Sequence, residues 1–305
     1  MRGKSHVLNG APNQDALGST AEPRGACVVV ADGHGNKLHF RSASGARFAV
    51  EETILQFQKL GPERPSEADI LNLGRVIAEN WKTHVLAHLS EQAFAEEEVA
   101  GLDAEARTSL ARQPEVAYGS TLLAVAATAE WVAYLQLGDG DILAVDESGV
   151  ARRPLPPDPY VSGNRTTSLC QEDAWKQMRV TVETGRPALI ALSTDGYANC
   201  FATDGDFLQI GSDYLQMVRQ KPEHLANSLP DILTEATQQG SSDDITLALL
   251  YWGKSESRGR SSAWLKRALL AVAFTLLLAA VLVALPLFRS PPGPPPPRPP
   301  AARIP

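Results

Sequence analysis

Residues 27–35 read Cys-Val-Val-Val-Ala-Asp-Gly-His-Gly, an apolar run that ends in a polar loop. A run of this length, rich in Val and bounded by Gly or Asp, indicates a buried strand. The segment therefore places the carboxylate of Asp32 at a strand end, followed by Gly33, whose backbone can turn freely, and by His34. Asp-Gly is also a common turn dipeptide, so an ordinary strand-to-loop turn is the alternative interpretation of this segment taken alone.

Four further segments carry Asp, and most of them adjoin apolar runs. They are Asn13-Gln14-Asp15, Gly138-Asp139-Gly140-Asp141, Thr194-Asp195-Gly196 and Ser242-Asp243-Asp244-Ile245-Thr246. Because a sheet brings the ends of its strands together, we expect these carboxylates to cluster although the chain separates them widely. Clustered carboxylates repel one another unless cations lie among them, and oxygen-only ligands suit Mg²⁺ and Mn²⁺. The pattern predicts a multi-metal hydrolytic site.

The charge of the 305-residue chain is divided unevenly. All 35 acidic residues lie within residues 1–257, together with 21 of the 28 basic residues, which gives that part a net charge of about −14. An acidic folded part argues against a nucleic-acid partner, which would require a basic surface. The three cysteines, Cys27, Cys170 and Cys200, show no paired spacing, and this fits unbridged thiols in a reducing cytosol.

Near its C-terminus the chain has 21 consecutive positions without a charge, residues 268–288. A helix of that length spans about 32 Å, enough to cross a bilayer. A buried core helix is the alternative, although core helices rarely stay apolar on every side. We predict a domain at 1–252, a polar linker at 253–263, a transmembrane helix at 264–288 and a Pro-rich tail at 289–305. Five basic residues precede the span and three follow it, so the positive-inside rule predicts a single-pass membrane protein whose large domain faces the cytoplasm.

Periodicity within the domain indicates both helices and strands. Helices are predicted at 41–60, 67–90, 96–112 and 223–238, with Ser66 as the N-cap of the second. Strands are predicted at 121–128, 131–137, 142–145 and 245–252, and the short connections between the first three favour an antiparallel sheet. Residues 155–176 directly follow Pro154 and contain three further prolines, Pro156, Pro157 and Pro159, and they are predicted to form an irregular, exposed flap. These elements indicate an α+β layered domain.

Other motifs give weaker signals. Asp139-Gly140-Asp141 begins like a calcium-binding loop, but Leu143 and Ala144 occupy positions that such a loop gives to Asp or Asn and to Gly. His84 and His88 are spaced for one helix face and could in principle hold zinc; without an accompanying ligand motif we interpret them as structural. Phosphate-binding glycine loops and a Ser-centred nucleophile motif are absent from the sequence.

Taken together and in order, the five Asp segments and Gly119-Ser120-Thr121 resemble the metal-dependent type 2C protein phosphatase (PPM) family, in a divergent bacterial-type subgroup. The resemblance covers about residues 5–252. It implies a four-layer α-β-β-α sandwich, in which two antiparallel sheets are flanked by helices. It also implies two Mn²⁺ or Mg²⁺ ions, with a possible third, at one end of the sandwich.

The resemblance assigns roles to individual residues. Asp32 would bridge two ions, with the carbonyl of Gly33 and the carboxylates of Asp195 and Asp243 as further ligands. Asp15 would hold metal-bound water, and Asp139 would serve the third site. His34 takes the position of the candidate general acid. A water between the ions would attack the phosphoryl group of phosphoserine or phosphothreonine, without a covalent enzyme intermediate.

Two departures from the family pattern concern the N-terminal segment. Gln14 stands where many members carry Glu, and Gly10 stands where many carry an Arg that grips the substrate phosphate. Lys4, His6 or Arg41 could replace that Arg, and Arg41 is our candidate substrate-binding residue.

The sequence as a whole predicts a membrane-tethered Ser/Thr phosphatase, with phosphorylated proteins as substrates and a Ser/Thr kinase or its targets as partners. An inactive or weakly active relative used as a scaffold is one alternative. A hydrolase for small phosphate esters is the other.

Overall fold

The computed structural model describes residues 1–22, 25–160 and 166–253. The predicted transmembrane helix and Pro-rich tail, and most of the predicted linker, lie outside the described residues, so their boundaries stay predictions. No helix in the described part of the chain is both long enough and apolar enough to cross a membrane.

Two antiparallel sheets form the centre of the domain. Their strands are β1 (Ala16–Glu22), β2 (Gly25–Ala31), β3 (Leu122–Ala127), β4 (Trp131–Leu137), β5 (Asp141–Val145), β6 (Ala151–Arg152), β7 (Arg179–Thr184), β8 (Leu189–Ser193) and β9 (Leu247–Tyr251). The first sheet has the order β1-β2-β3-β4-β7, and the second has the order β6-β5-β8-β9. Both sheets are antiparallel throughout, as the short connections predict.

The central strands are apolar on both faces because each face packs against another layer. In β2, Val28 and Val30 belong to a core between the sheets, shared with residues of β5, β8 and β9. The alternating residues Cys27, Val29 and Ala31 belong instead to a core beneath helices. Strands covered on both faces read as continuous apolar runs rather than as an alternation, which is why such runs marked these strands in the sequence.

Helices cover the outer face of each sheet, so the α+β sandwich of two helix-flanked antiparallel sheets is confirmed. The helices are α1 (Lys4–Asn9), α2 (Ser42–Phe57), α3 (Glu67–Glu91), α4 (Glu96–Val99), α5 (Ala104–Arg112), α6 (Asp195–Ala198), α7 (Asp204–Gln220) and α8 (Pro222–Gln239). Residues of α2 and α3 pack on the first sheet, and residues of α7 and α8 pack on the second.

The long α3 begins where the sequence predicts. The Ser66 hydroxyl accepts a hydrogen bond from the Asp69 amide at 3.1 Å, and the Asp69 carboxylate accepts one from the Ser66 amide at 2.8 Å. This reciprocal capping satisfies two amides that the first turn of a helix leaves without partners.

Several sequence expectations were wrong in detail. The predicted strand 142–145 does not continue the sheet of β4, because β5 pairs with β6 and β8 in the other sheet. The predicted helix 96–112 is two helices with a turn between them. Asp204-Gly205-Asp206 could be interpreted from its sequence as a solvated turn, but it forms the start of α7, whose N-cap is Thr203. Within the predicted flap, Leu155 and residues 167–170 are buried rather than exposed.

Candidate active site

Strand register brings the Asp segments to one edge of the two sheets. Ala16 pairs with Ala31, so Asp15 before β1 lies beside Asp32 after β2. In the second sheet Ser193 pairs with Leu247, so the loops that carry Asp195 and Asp243 meet at the corresponding end. In antiparallel pairing the end of one strand lies beside the start of its neighbour. Residues far apart in the chain therefore meet, as the sequence predicts.

The loop after β2 is fastened to the Gly119-Ser120-Thr121 segment. The Thr121 amide donates to the Asp32 carbonyl at 2.8 Å, and the Asp32 amide donates to Thr121 Oγ1 at 3.0 Å. Gly33 and Ser120 form an antiparallel bridge. These bonds fix the backbone on both sides of the Asp32 carboxylate.

Four of the predicted carboxylates line one open cleft of about 990 Å³. The rest of its wall is mostly neutral and polar. Its lining consists of Asp32, His34, Gly35, Asn36, His39, Asp139, Tyr160, Thr166, Thr167, Ser168, Cys170, Gln171, Gln177, Asp195 and Asp243. No Lys or Arg occurs among these described residues. The cleft therefore presents carboxylates, two histidines and neutral hydrogen-bonding groups to a ligand.

Electrostatic repulsion among the carboxylates is strong. Burial raises the pKa of Asp32 well above its ordinary value, and the charges of Asp15, Asp195 and Asp243 raise it further. Burial, and then the charge of Asp244, raises the pKa of Asp15 from 3.8 to about 7. Asp195 also has a raised pKa, through burial first and then through Asp139. Each ionised carboxylate here makes ionisation of the next one harder.

The donor set fits divalent cations. Carboxylate oxygens and a backbone carbonyl are the ligands that Mg²⁺ and Mn²⁺ prefer, and cations would offset both the burial and the mutual repulsion that raise these pKa values. Among residues 1–22, 25–160 and 166–253, however, no three His, Cys, Asp or Glu side chains stand in an arrangement ready to hold an ion. Asp32 and Asp195 instead lie close enough for their carboxyls to share a hydrogen bond.

Two glycines of the motifs are required by close approach of the backbone. A Cβ at Gly33 would lie 2.6 Å from the Gln14 carbonyl oxygen and 2.8 Å from the Ser42 carbonyl. A Cβ at Gly196 would lie 2.2 Å from the Asp244 carbonyl oxygen. Gly33 does not have a positive φ, so the conformational freedom expected from the sequence is not its role. These glycines let the N-terminal, Asp32, Asp195 and Asp243 loops pack together.

The rings of His34 and His39 are in contact at the cleft wall. Their centroids lie 4.9 Å apart in an edge-to-face arrangement. Burial, and secondly the nearby His39, lowers the pKa of His34 to about 4, so its ring is neutral at pH 7 in this environment. A phosphate dianion beside the ring would favour the imidazolium and raise that pKa. The sequence analysis gave no role to His39, and no motif in the sequence indicates one.

The two departures in the N-terminal segment have structural reasons. The Gln14 side-chain amide donates to Ser42 Oγ at 2.7 Å and to the His34 carbonyl at 3.3 Å. Gln14 thus ties the loop before β1 to the loop after β2. Gly10 has φ of 70° and ends α1, in a conformation that disfavours Arg. The backbone at the end of α1 therefore favours Gly10 over the Arg that the family resemblance leads one to expect at this position.

Arg41 is not among the described residues that line the cleft, and its side chain is engaged within the protein. Its guanidinium forms a bidentate salt bridge with the Glu98 carboxylate, with distances of 2.7 and 2.8 Å. It also donates hydrogen bonds to Tyr118 Oη and to the carbonyls of Gln92 and Ala93. These contacts join α2 to α4 and use all three guanidinium nitrogens. They leave the substrate-binding role of Arg41 without support.

Asp244 and Thr194 organise the site although the sequence analysis gave them no role. Asp244 is 3% exposed and accepts from the amides of Gly3 at 2.6 Å and Gln14 at 2.8 Å. Thr194 donates to the Asp15 carboxylate at 3.1 Å and accepts from the Thr246 amide at 3.0 Å. Asp244 directly follows Asp243, a predicted metal ligand. Only the buried hydrogen bonds of Asp244 show that its role is structural.

Comparison with known proteins identifies the family. Residues 2–234, about three quarters of the chain, match the family described as Protein phosphatase 2C, and the chain belongs to that family. Serine/threonine-protein phosphatase 3 of Escherichia coli (strain K12) is 25% identical over 267 residues, covering 83% of this chain and 96% of the relative.

Solved structures share the fold. The serine/threonine phosphatase of S. agalactiae has a TM-score of 0.50 at 17% identity and covers 79% of this chain and 93% of that one. A C. elegans sex determining protein has a TM-score of 0.51 at 14% identity, over 82% of this chain and 62% of that one. The same architecture thus occurs in proteins of low sequence similarity.

Proposed function

We propose that this chain is a metal-dependent serine/threonine phosphoprotein phosphatase that hydrolyses phosphoserine and phosphothreonine. One observation carries the proposal: Asp32, Asp139, Asp195 and Asp243 line a single cleft in a chain that belongs to the protein phosphatase 2C family. The relative from Escherichia coli is named a serine/threonine-protein phosphatase and aligns with 83% of this chain, which supports the same activity.

The cation-binding residues follow from the cleft and the motifs. Asp32, Asp195 and Asp243, with the Gly33 carbonyl, would hold two Mn²⁺ or Mg²⁺ ions, and Asp139 would hold a third. Asp15 would hold metal-bound water. When bound, such ions acidify water and neutralise charge on a phosphoryl group.

The other cleft residues bind the substrate and move its protons. His34 lies in the cleft wall and would give a proton to the leaving Ser or Thr oxygen, since an alkoxide leaves poorly without one. Asn36, Gln171 and the hydroxyls of residues 166–168 would hydrogen-bond the peptide around the phosphorylated residue. Because the described lining contains no Lys or Arg, charge complementarity to the phosphate depends on the cations and on His34.

The experiment compares carboxylate variants of the full-length protein on a phosphothreonine peptide in millimolar Mn²⁺. Asp32→Ala and Asp195→Ala should each lower kcat/KM by at least about 10²-fold, because each removes a cation ligand needed in the transition state. Asp213→Ala is the matched control, since Asp213 is an exposed carboxylate on α7, and it should keep full activity.

The principal alternative is an inactive relative that uses the fold as a scaffold. Gln14 suggested this alternative, because an amide binds a cation less strongly than a carboxylate does. The structural role of Gln14 in joining two loops weakens that argument. A wild-type protein that hydrolyses neither p-nitrophenyl phosphate nor a phosphopeptide in Mn²⁺ would establish the scaffold and refute the phosphatase. Faster turnover of phosphorylated metabolites than of phosphoproteins would instead favour a small-ester hydrolase.

We further propose that the C-terminal segment tethers the domain to the cytoplasmic side of a membrane, near a Ser/Thr kinase or its targets. The 21 uncharged residues at 268–288 and the flanking basic residues support this proposal. Confinement to a surface raises the effective concentration of enzyme near membrane-bound substrates. Deleting residues 263–305 should move the protein from the membrane fraction to the soluble fraction; a deletion variant that still sediments with membranes would refute the tether.

A further inference from the structure

Two histidine rings touch in the cleft wall, and the proposed function uses one of them. We propose that His39 is a positioning residue for His34, holding the His34 ring where it delivers a proton to the leaving oxygen. The inference rests on the proposed function, because it concerns the same reaction at the same site.

His39 is itself held firmly. It ends a short 3₁₀ turn at residues 37–39, which Asn36 caps by accepting from the Leu38 amide at 3.0 Å. Its Nδ1 atom faces the Val116 carbonyl oxygen at hydrogen-bonding distance. A carbonyl oxygen can only accept, so Nδ1 carries the proton and one tautomer of the neutral ring is selected.

The same bond ties the ring to a second part of the chain. Two residues further on, the Arg41 amide donates to the Ala117 carbonyl at 2.8 Å. The turn that carries His39 is thus joined to residues 116–117 at two points. A ring fixed in this way can set the position of a neighbour.

His34 depends on its neighbours for the orientation of its ring. Its amide donates to the Gly119 carbonyl at 3.1 Å and its own carbonyl accepts from Gln14, which fixes the backbone. In the described portion of the chain, no hydrogen bond reaches a ring atom of His34. The edge-to-face contact with His39, at 4.9 Å between centroids, is the aromatic contact that this ring makes there.

The backbone of Gly119 packs closely against both rings. A Cβ at this position would lie 2.6 Å from His39 Nδ1 and 2.8 Å from His34 Cδ2. The two rings and the backbone of Gly119 are therefore closely packed against one another. A side chain at position 119 would collide with both rings, which explains why the Gly-Ser-Thr segment begins with glycine. The neighbouring sequence does not show this reason.

The step that depends on this arrangement is the departure of the alcohol. The bond between phosphorus and the Ser or Thr oxygen breaks while a bond from phosphorus to the oxygen of water forms. The His34 ring in its imidazolium form gives a proton to the leaving oxygen and becomes neutral, and the proton that the water releases restores the imidazolium. The products are the free hydroxyl side chain and inorganic phosphate, so atoms and charge balance. A displaced His34 ring would slow this step and leave the earlier binding of substrate intact.

The test compares two substrates that differ in their need for a proton. A phosphothreonine peptide releases an alkoxide and requires an acid, whereas p-nitrophenyl phosphate releases a stable anion and requires little help. In the full-length protein with Mn²⁺, His39→Asn should lower kcat on the peptide about 10- to 100-fold and kcat on p-nitrophenyl phosphate less than about threefold, which is the pattern of a weakened general acid. KM for both substrates should stay unchanged.

Gly119→Ala provides a second variant that displaces the rings from below, and it should give the same split between substrates. His224→Asn is the matched control, because His224 is exposed on α8, and it should change neither rate. Thermal midpoints of all variants in Mn²⁺ identify any that fold poorly.

The double variant separates action through His34 from independent action. If His39 acts through His34, adding His39→Asn to His34→Ala should cause no further loss on the peptide, because residues that act as one unit are not additive. Equal losses on both substrates, no loss on either, or a full further loss in the double variant would each overturn the inference. An inactive wild-type protein would instead refute the proposed function, so the two failures are distinguishable.

Discussion

At the scale of single residues, the site is built by groups that allow close packing as much as by groups that carry charge. Gly196 belongs to the Thr-Asp-Gly segment, and its missing side chain lets the Asp195 loop approach the Asp243-Asp244 backbone. Substitution there therefore acts on the geometry of two predicted cation ligands. The chain offers a second Asp-Gly pair at a helix start, Asp204-Gly205, where no such approach occurs.

We expect Gly196→Ala to lower the free energy of unfolding by about 1–3 kcal/mol, since overpacking against rigid backbone forces it to shift. Gly205→Ala is the control: its Cβ would meet Thr203 Oγ1 at an ordinary 3.7 Å, and it should be neutral or stabilising by up to about 1 kcal/mol. Urea unfolding measures both. Equal effects of the two variants would contradict the close-packing argument.

The residue scale also shows how far motifs alone reach. The motif order indicated Asp32, Asp139, Asp195 and Asp243, and all four line the cleft; their roles as cation ligands stay predictions. Asp244, Thr194 and His39 were missed because hydrogen bonds to residues far away in the chain define them. A buried Asp244 that accepts from Gly3, 241 residues away, has no signature in its local sequence.

At the scale of elements, Arg41 connects the start of α2 to α4 through side-chain hydrogen bonds. It precedes α2, and its guanidinium pairs with Glu98 of α4, whose hydrogen bond raises the pKa of Arg41 further above its ordinary value. Two carbonyls in the segment before α4 accept from the same guanidinium. The element scale thus assigns a stabilising function where the sequence suggested substrate binding.

Arg41→Ala should lower the free energy of unfolding by about 2 kcal/mol, because hydrogen bonds to a charged partner contribute about 1.5–3 kcal/mol. It should leave KM for a phosphopeptide unchanged. Arg47→Ala is matched, since Arg47 makes an exposed pair with Glu51 one turn along the same helix, and it should cost no more than about 0.5 kcal/mol. A large increase in KM for Arg41→Ala with unchanged stability would restore the substrate-binding hypothesis.

Elements with strong local signals were predictable, and elements that depend on tertiary context were not. α3 has an apolar stripe and a capping Ser, and its start at Glu67 agrees with the prediction. By contrast, β5 reads as one more strand after β4, but it crosses to the other sheet. No local pattern distinguishes a strand that continues one sheet from a strand that begins the next, because both are buried on two faces.

At the scale of the whole molecule, the repulsion among carboxylates couples stability to pH and to cations. The pKa of Asp15, raised to about 7 by burial and by Asp244, means that the folded state holds a proton that the unfolded chain releases near pH 4. The folded state therefore binds more protons between these two values, and stability falls as pH rises through this window. Hydrogen bonds from Thr246 and Thr194 and the charge of the Met1 ammonium oppose this effect but do not cancel it.

The lowered pKa of His34 acts in the opposite direction over this range, but Asp32 and Asp195 also have raised pKa values and reinforce the effect of Asp15. We therefore expect the thermal midpoint of the metal-free protein to decrease from pH 4.5 to pH 7. Addition of Mn²⁺ should raise the midpoint more at pH 7 than at pH 4.5, because protons compete with cations for the carboxylates. Asp15→Asn should raise the metal-free midpoint at pH 7 and reduce its dependence on pH. Scanning fluorimetry with and without chelator measures these changes. A thermal midpoint of the metal-free protein that rises from pH 4.5 to pH 7 would contradict the raised pKa of Asp15.

The sequence by itself determined three features of this protein. It shows which runs form buried strands, which segments carry carboxylates, and the order of motifs that is typical of the protein phosphatase 2C family. These features depend on residues within a few positions of each other, so they can be read along the chain. Tertiary structure alone decided the register of Ala16 against Ala31, the sheet to which β5 belongs and the contact of His39 with His34. Each of these is selected by packing between distant segments, because the free energy of such contacts depends on all the layers that meet there.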